Sequence, residues 1–210
     1  KFPIGIGGEH SMTPAAVRAV QSKYPNLAVV ILDAHLDFRQ EYEGNENSHA
    51  TVTRRLTNIV GLDKVRPVGI RSVSQSEISE ARTIGLKFIE SGWTELIEYL
   101  TDIIDELDCP IYLSLDMDAI DPAFAPGVGT PEPFGMTPYE VLQTINFFSD
   151  RIVKLGNLKS ICDYCLKNPP SDSILKSLRE EFFNTSYQGD SAKRAYELLI
   201  SNDWLNNYNK

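Results

Sequence analysis

The chain alternates between short apolar runs and longer segments with helical periodicity. Apolar runs of strand length lie near residues 2–6, 28–33, 66–71, 87–90 and 110–116. Between them, helical patterns begin near Ala15, His49, Ser76, Gly92 and Thr137. Strands that alternate with helices are joined by right-handed crossovers and form parallel sheets. The pattern therefore predicts an α/β fold of three layers, α/β/α, around a mainly parallel sheet.

The helical patterns also predict which faces are buried. In the segment 92–107, apolar residues at steps of three and four predict one core-facing stripe, formed by Leu96, Leu100, Ile103 and Leu107. The last predicted helix is expected to bury Val141, Leu142 and Ile145. The helix predicted over residues 76–84 is expected to begin at Ser76, with Glu80 one turn later.

The pattern changes after residue 153. Residues 154–210 show no convincing strand, and two amphipathic helical patterns follow a break at Pro169 and Pro170. This predicts one α/β domain over residues 1–153 and a helical appendage of unassigned role over 154–210. Because Lys1 falls directly before a strand, we also expect that an N-terminal part of the domain is missing.

Polar side chains gather where the predicted strands end. Asp33, His35 and Asp37 follow one apolar run at alternate positions, and Asp116 and Asp118 follow another. Alternation of period two places such side chains on one face, and ligands bind beyond the carboxyl ends of parallel strands. Like charges held this close repel each other unless cations lie between them. The pattern therefore predicts a metal site, and its mixed carboxylate and imidazole donors suit Mn, Fe or Zn.

The histidines support this prediction. The chain has only three, and all lie in or just beyond the strand-end segments: His10, His35 and His49.

Composition limits the classes of function. At 210 residues with 42% hydrophobic and 23% charged residues, the chain is typical of a globular protein. A net charge of −9 argues against binding to nucleic acid or to anionic membranes. No apolar run approaches the roughly 18 residues of a membrane span. Only three cysteines, Cys109, Cys162 and Cys165, make a disulfide framework improbable and favour a cytoplasmic location.

Three motifs together resemble the ureohydrolases, the family of arginase and agmatinase. They are Gly7-Gly8-Glu9-His10-Ser11, Asp33-Ala34-His35-Leu36-Asp37 and Ser114-Leu115-Asp116-Met117-Asp118-Ala119-Ile120-Asp121-Pro122, in the family's order, and the resemblance covers about residues 1–153. Two further stretches look like agmatinase in particular: Glu41-Tyr42-Glu43-Gly44 leading to Ser48-His49, and Gly129-Thr130-Pro131-Glu132-Pro133.

The resemblance implies an arginase-like fold with two Mn²⁺ ions per subunit. One ion would be held by His10, Asp33, Asp37 and Asp116, and the other by Asp33, His35, Asp116 and Asp118. It further implies that a hydroxide bridging the two metals attacks the guanidinium carbon of agmatine, a small cationic substrate, and releases urea and putrescine, a step of polyamine biosynthesis. Asp37 would hydrogen-bond this hydroxide, and His49 would shuttle protons. A homotrimer or homohexamer is expected.

The sequence also departs from the family pattern. After residue 153 the family continues with a strand that ends in a glutamate which binds the guanidinium, and this chain has no evident counterpart, so its substrate-binding residues are not assigned. An alternative interpretation is therefore a catalytically impaired remnant that keeps the metal site as a structural or oligomerisation module. A third is another metal-dependent hydrolase, acting on an amide or phosphoester.

Overall fold

The structure is a computed structural model that describes residues 5–90 and 96–148. Its centre is a sheet of four parallel strands in the order β3-β2-β1-β4. The strands are β1 (Ala28–Leu32), β2 (Val65–Ile70), β3 (Ile89–Glu90) and β4 (Ile111–Leu115). The predicted parallel α/β architecture is thus confirmed.

In the described part of the chain, five helices connect or cover the strands. They are α1 (Thr13–Gln21), α2 (Val52–Val60), α3 (Gln75–Ile84), α4 (Leu96–Glu106) and α5 (Pro138–Phe148). Short 3-10 turns cover His10–Met12, His49–Thr51, Leu62–Lys64 and Met117–Ala119. The helix expected from His49 therefore starts as a 3-10 turn and becomes α-helical only at Val52.

The two faces of β1 define two core layers. Val29 and Ile31 pack in a cluster with residues of α1, α2 and α3, whereas Val30 and Leu32 pack with residues of α4 and α5. All five residues of β1 are buried, which is why this strand reads as a continuous apolar run instead of an alternating one. The helices thus cover both faces of the sheet.

The strand order creates a crevice beside β1. From β1 the chain adds β2 and then β3 on one side, and it later returns to add β4 on the other side. Open α/β sheets bind ligands at the carboxyl ends of the strands where the order reverses in this way. The fold therefore points to the carboxyl end of β1 as the place for a functional site.

Two details of the predicted helices were wrong. Helix α3 is capped by Ser74 and not by Ser76, because the capping box pairs a serine with a glutamate three residues later, and that glutamate is Glu77. Helix α5 buries Val141, Thr144 and Phe148, while Leu142 and Ile145 are exposed. Thr144 can be buried because its hydroxyl donates to the carbonyl of Glu140.

Some expectations lie wholly or partly outside the described residues. The predicted first strand falls mostly on residues 1–4, and Gly5 and Ile6 at its end form no strand, with Ile6 96% exposed. The start of the 92–107 helix and the whole of the predicted appendage, 154–210, also lie outside them. Among the described residues, no helix combines the length and apolarity needed to span a membrane.

Candidate metal centre

The carboxyl end of β1 is held by backbone hydrogen bonds from both neighbouring strands. The N–H of Asp33 donates to Val68 of β2 at 3.1 Å, and the N–H of Asp116, after β4, donates to Leu32 at 2.9 Å. Beyond the strand, the N–H of Arg71 donates to the carbonyl of Ala34 at 2.8 Å. These bonds fix the positions from which Asp33, His35 and Asp116 project.

Asp118 reaches the same place by a different route. The sequence analysis expected strand alternation to carry Asp116 and Asp118 together, but β4 ends at Leu115 and a 3-10 turn follows. Asp116 caps this turn by accepting the N–H of Asp118 at 3.2 Å. The turn brings the Asp118 carboxylate to β1, where it accepts the N–H of Ala34 at 3.2 Å.

His10 lies at the centre of three aspartates. Its Nδ1 is 3.0 Å from Asp37 Oδ2, 3.2 Å from Asp33 Oδ2 and 3.4 Å from Asp116 Oδ2. The imidazole is carried by the 3-10 turn that precedes α1. One ring nitrogen thus faces carboxylates from the ends of both β1 and β4.

His35 makes the corresponding contacts on the other side of Asp33. Its Nδ1 is 3.1 Å from Asp118 Oδ2 and 3.6 Å from Asp33 Oδ1, while its Nε2 is 3.7 Å from Glu132 Oε1. Two groups with metal-ligand spacing result, one of His10, Asp33 and Asp37 and the other of Asp33, His35 and Asp118, and they share Asp33. These groups contain five of the six side chains proposed as metal ligands. The sixth, Asp116, belongs to neither group but lies beside them, with its Oδ2 3.4 Å from His10 Nδ1.

A cavity of about 410 Å³ opens onto these side chains. All six line it, together with Tyr42, His49 and Thr130. Asp33 is buried, with 2% of its surface exposed, whereas the side chain of His49 is 52% exposed at the cavity wall. The loop of residues 41–44 contributes Tyr42 to the wall, while its Glu41 and Glu43 are exposed. The cavity thus has a buried polar floor at Asp33 and a solvent-accessible rim at His49.

The charges of the site are unbalanced without cations. Burial raises the pKa of Asp37 to about 7, and the nearby charge of Asp33 adds to this, although His10 opposes it. Hydrogen bonds to Asp118 and Asp33 raise the pKa of His35 to about 10. Burial and the neighbouring charges of Asp33 and Asp118 also raise the pKa of Asp116. The aspartates thus favour any positive charge placed among them, and protons on the histidines supply it.

Burial acts against ionisation of His10 and Asp33, yet their mutual contacts outweigh it. Burial lowers the pKa of His10, but hydrogen bonds to Asp33 and Asp37 leave it well above the usual value. Burial raises the pKa of Asp33, but hydrogen bonds from His10 and His35 leave it well below the usual range. This pair therefore behaves as an imidazolium beside a carboxylate.

The donor set fits two divalent cations. Four aspartates can offset the charge of two such ions, and both histidines direct Nδ1 at carboxylate oxygens, where a cation could take the place of the proton. Imidazole and carboxylate together suit Mn²⁺, Fe²⁺ or Zn²⁺. Shared carboxylates such as Asp33 are the arrangement that a two-metal site requires.

The loop after β1 is held by arginines and a buried glutamate. Arg54 donates to the carbonyl of Phe38 at 2.9 Å and pairs with Glu80, and Arg55 donates to the carbonyl of Gln40 at 2.8 Å. Glu77 accepts the N–H of Phe38 at 3.3 Å while it caps α3. These contacts support Asp37, whose φ of 50° lies in the left-handed region. The arginines act here as loop supports, away from the cavity.

Sequence reasoning missed three neighbours of the metal-ligand candidates. Glu132 contacts His35, Thr130 donates to Asp118 Oδ2 at 3.0 Å, and Glu9 lies 3.5 Å from Nδ1 of His49. All three belonged to quoted motifs, but nothing in the pattern of such Gly- or Pro-containing segments indicates which side chains turn back to a strand or to a neighbouring histidine.

The sequence of the chain matches the sequence model of a known protein family. The model of the arginase family matches residues 1–173. The chain belongs to the arginase family. The match extends past residue 153, where the sequence resemblance was expected to end.

Individual relatives of this arginase-family chain point in the same direction. An agmatinase of Bacillus anthracis is 38% identical over 146 residues, which are 69% of this chain and 49% of the relative. An N(1)-aminopropylagmatine ureohydrolase of Synechocystis is 37% identical over 207 residues, 95% of this chain and 60% of the relative. The crystal structure of agmatine ureohydrolase of Thermoplasma volcanium is 42% identical with a TM-score of 0.67, covering 73% of this chain and 52% of that one.

These alignments also bear on the unmatched segment. The chain spans about half the length of the curated agmatinases it matches. The Synechocystis relative nevertheless aligns over nearly the whole chain, including residues that the sequence analysis left unmatched. The segment in which the family's guanidinium-binding glutamate was expected lies outside the described residues.

Proposed function

We propose that the protein is a manganese-dependent hydrolase of guanidino compounds that converts agmatine to putrescine and urea. One observation carries the proposal: two groups of metal-ligand candidates share Asp33 at the floor of a single cavity. The agmatinase relatives and the quoted motifs that look like agmatinase support agmatine as the substrate.

Each candidate ligand has a role in this proposal. His10, Asp33, Asp37 and Asp116 would hold one Mn²⁺, and Asp33, His35, Asp116 and Asp118 the other. When bound, two such ions lower the pKa of a shared water toward neutrality and so supply a nucleophile at physiological pH. Asp37, buried and carried on the loop after β1, would orient that water by hydrogen bonding.

His49 would carry protons between the cavity and solvent. Its ring lines the cavity and is half exposed, and its Nδ1 lies 3.5 Å from Glu9 Oε1 and 3.4 Å from Ser48 Oγ. An imidazole in this position can give a proton to the leaving amine and exchange it with water. Collapse of the tetrahedral adduct at the guanidinium carbon then releases urea and the diamine.

A second substrate is supported by a specific observation. The Synechocystis N(1)-aminopropylagmatine ureohydrolase aligns with 95% of the chain, and the cavity of about 410 Å³ is open to solvent at the rim formed by His49. N(1)-aminopropylagmatine carries the same guanidinium on a longer cationic chain, which an open cavity can admit. Comparison of kcat/KM for the two amines decides between them.

The inactive-remnant alternative lacks support in the described part of the chain. All six metal-ligand candidates and His49 are assembled around one cavity there. The expected homotrimer or homohexamer and the cytoplasmic location remain predictions. Light scattering after size exclusion would measure the subunit number.

Urea release from a panel of guanidino compounds, with and without Mn²⁺, tests the function. We expect urea from agmatine only in chains loaded with metal, and metal analysis should find two Mn²⁺ per chain. Asp33→Asn should abolish both binding and turnover, because Asp33 belongs to both groups. Asp63→Asn, at an exposed position, is the matched control and should change neither. Full metal loading without urea from any substrate would refute the proposed activity.

A further inference from the structure

Arg71 directly follows β2 and lies next to the candidate metal centre. Its backbone N–H donates to the carbonyl of Ala34, between Asp33 and His35, at 2.8 Å. Its side chain is partly buried, and this burial lowers the pKa of the guanidinium. The side chain is not among the residues that line the cavity.

The guanidinium of Arg71 joins two segments that are distant in sequence. Nη2 donates to the carbonyl of Asp118 at 2.6 Å and to that of Glu132 at 2.8 Å, and Nε donates to the carbonyl of Pro133 at 3.0 Å. The rigid, five-donor fork of arginine can serve carbonyls in several directions from one position. Arg71 therefore fixes the loop 129–133 against the turn that carries Asp118.

Both of these segments place a side chain against His35. Asp118 Oδ2 is 3.1 Å from His35 Nδ1, and Glu132 Oε1 is 3.7 Å from His35 Nε2. Thr130, from the same loop, donates to Asp118 Oδ2 at 3.0 Å. Arg71 thus supports the group of Asp33, His35 and Asp118.

The other group is supported differently. The loop that carries Asp37 is held by Arg54 and Glu77, through the carbonyl and the N–H of Phe38. His10 is carried by the 3-10 turn before α1. Neither of these supports involves the segment 118–133, so a change at Arg71 should reach the two groups unequally.

Close packing leaves Arg71 little freedom. A Cβ at Gly135 would lie 2.6 Å from Arg71 Nη2 and 2.6 Å from the backbone nitrogen of Asp121. The glycine lets the loop return directly past the guanidinium, and its N–H donates to Asp121 Oδ2 at 3.0 Å. The guanidinium is therefore confined on one side by backbone and held on the other by carbonyls.

We propose that Arg71 is a positioning residue that holds Asp118 and Glu132 against His35 and so sets the affinity of one of the two cation positions. The inference rests on the proposed two-metal site, but it does not depend on which substrate is hydrolysed. Loss of contacts that orient metal ligands typically weakens metal binding about 10–100-fold.

Mn²⁺ titration of the metal-free chain, followed by calorimetry and electron paramagnetic resonance, tests this proposal. In Arg71→Lys, which keeps the charge but loses the fork, one Mn²⁺ equivalent should weaken about tenfold or more while the other is unchanged. The spectrum at intermediate Mn²⁺ should then show isolated ions in place of a coupled pair. Arg82→Lys, an exposed arginine paired with Glu90, is the matched control and should alter neither equivalent.

Equal weakening of both equivalents, together with a lower melting temperature of the metal-free chain, would show a merely structural role and overturn the proposal. If Arg71→Lys does not fold, Glu132→Gln tests the same contact, since Glu132 is a partly exposed loop residue. It should weaken one equivalent selectively, and unchanged titration would overturn the proposal. Two bound Mn²⁺ without urea release would refute the activity but not this inference, and a chain that binds no Mn²⁺ would refute both.

Discussion

At the scale of the residue, His49 differs from the other two histidines in its neighbours. It lies beside Glu9 and Tyr42, and its side chain is half exposed, whereas His10 and His35 face aspartates. Its removal should therefore affect proton transfer and leave metal binding intact. In His49→Ala we expect urea release to fall about 10²–10⁴-fold, with unchanged Mn²⁺ content measured by metal analysis. Parallel loss of Mn²⁺ would show that the residue supports the metal centre instead.

The pKa shifts of the centre predict how metal binding depends on pH. The pKa of His35 rises from its usual 6.5 to about 10, so the stability it adds to the metal-free fold is complete below pH 6.5 and is lost as pH rises toward 10. The pKa of Asp37 rises from 3.8 to about 7, so the metal-free fold also loses stability as this buried group ionises across that interval. A bound cation replaces the protons that both groups hold.

The increase in melting temperature caused by Mn²⁺ should therefore be larger at about pH 8.5 than at about pH 6. Differential scanning fluorimetry with saturating Mn²⁺ and with a chelator measures it. Mn²⁺ binding near pH 6 should also release protons, which calorimetry in buffers of different ionisation enthalpy detects. An increase that is the same at both pH values would contradict this account of the charges.

The principal residues of the site could be predicted because they follow strands directly. Asp33, His35 and Asp116 are placed by the strand ends themselves, and ordinary sheet geometry brings them together. Glu132 and Glu9 could not be predicted, since their positions depend on the return path of a loop and a turn. No local pattern of apolar and polar residues encodes that path.

At the scale of the element, the capping box of α3 links helix stability to the site. Ser74 accepts the N–H of Glu77 at 3.3 Å, and Glu77 in turn accepts the N–H of Phe38, beside Asp37. Ser74→Ala should lower the free energy of unfolding by about 1 kcal/mol, measured by urea denaturation. Ser76→Ala, two residues further along and exposed, is the matched control and should change it by less than about 0.5 kcal/mol. Equal losses of unfolding free energy in the two variants would show that the loss at Ser74 is not specific to the cap.

The error in the predicted buried face of α5 has a tertiary cause. The sequence shows which residues of α5 are apolar, but it does not show that a threonine with an internal hydrogen bond can take a core position. Thr144 does so, and the buried stripe keeps the predicted Val141 but continues with Thr144 and Phe148 in place of Leu142 and Ile145. Helix existence was thus predictable from periodicity, whereas the orientation of the helix depends on tertiary contacts.

At the scale of the whole molecule, β1 is the strand on which both core layers depend. Leu32 is fully buried between the sheet and α4–α5, whereas Leu142 on α5 is 53% exposed. Leu32→Ala should cost about 2–5 kcal/mol of unfolding free energy, and Leu142→Ala less than about 0.5 kcal/mol. Chemical denaturation of the two variants measures the difference. A large effect at Leu142 would mean that this face of α5 is covered.

The parallel class of the sheet could be predicted from the alternation of strands and helices, but the order of its strands could not. Local patterns give the length and type of each element, while the choice of neighbour is made by packing between elements far apart in sequence. Thus β4, the last strand among the described residues, lies beside β1, the first of them, with Ala28 opposite Ile111.

That pairing has a consequence for biogenesis. During synthesis β1 can find β2 early, because β2 begins at residue 65, but its other edge waits until residues 111–115 have emerged. Until then a wholly apolar strand presents an unpaired edge, which is a template for intermolecular association. Non-local pairing of this kind is also slow. We expect recombinant yield to be limited by aggregation of nascent chains and to improve when translation is slowed by cooling. The reason is that β4 both closes this edge and delivers Asp116 and Asp118.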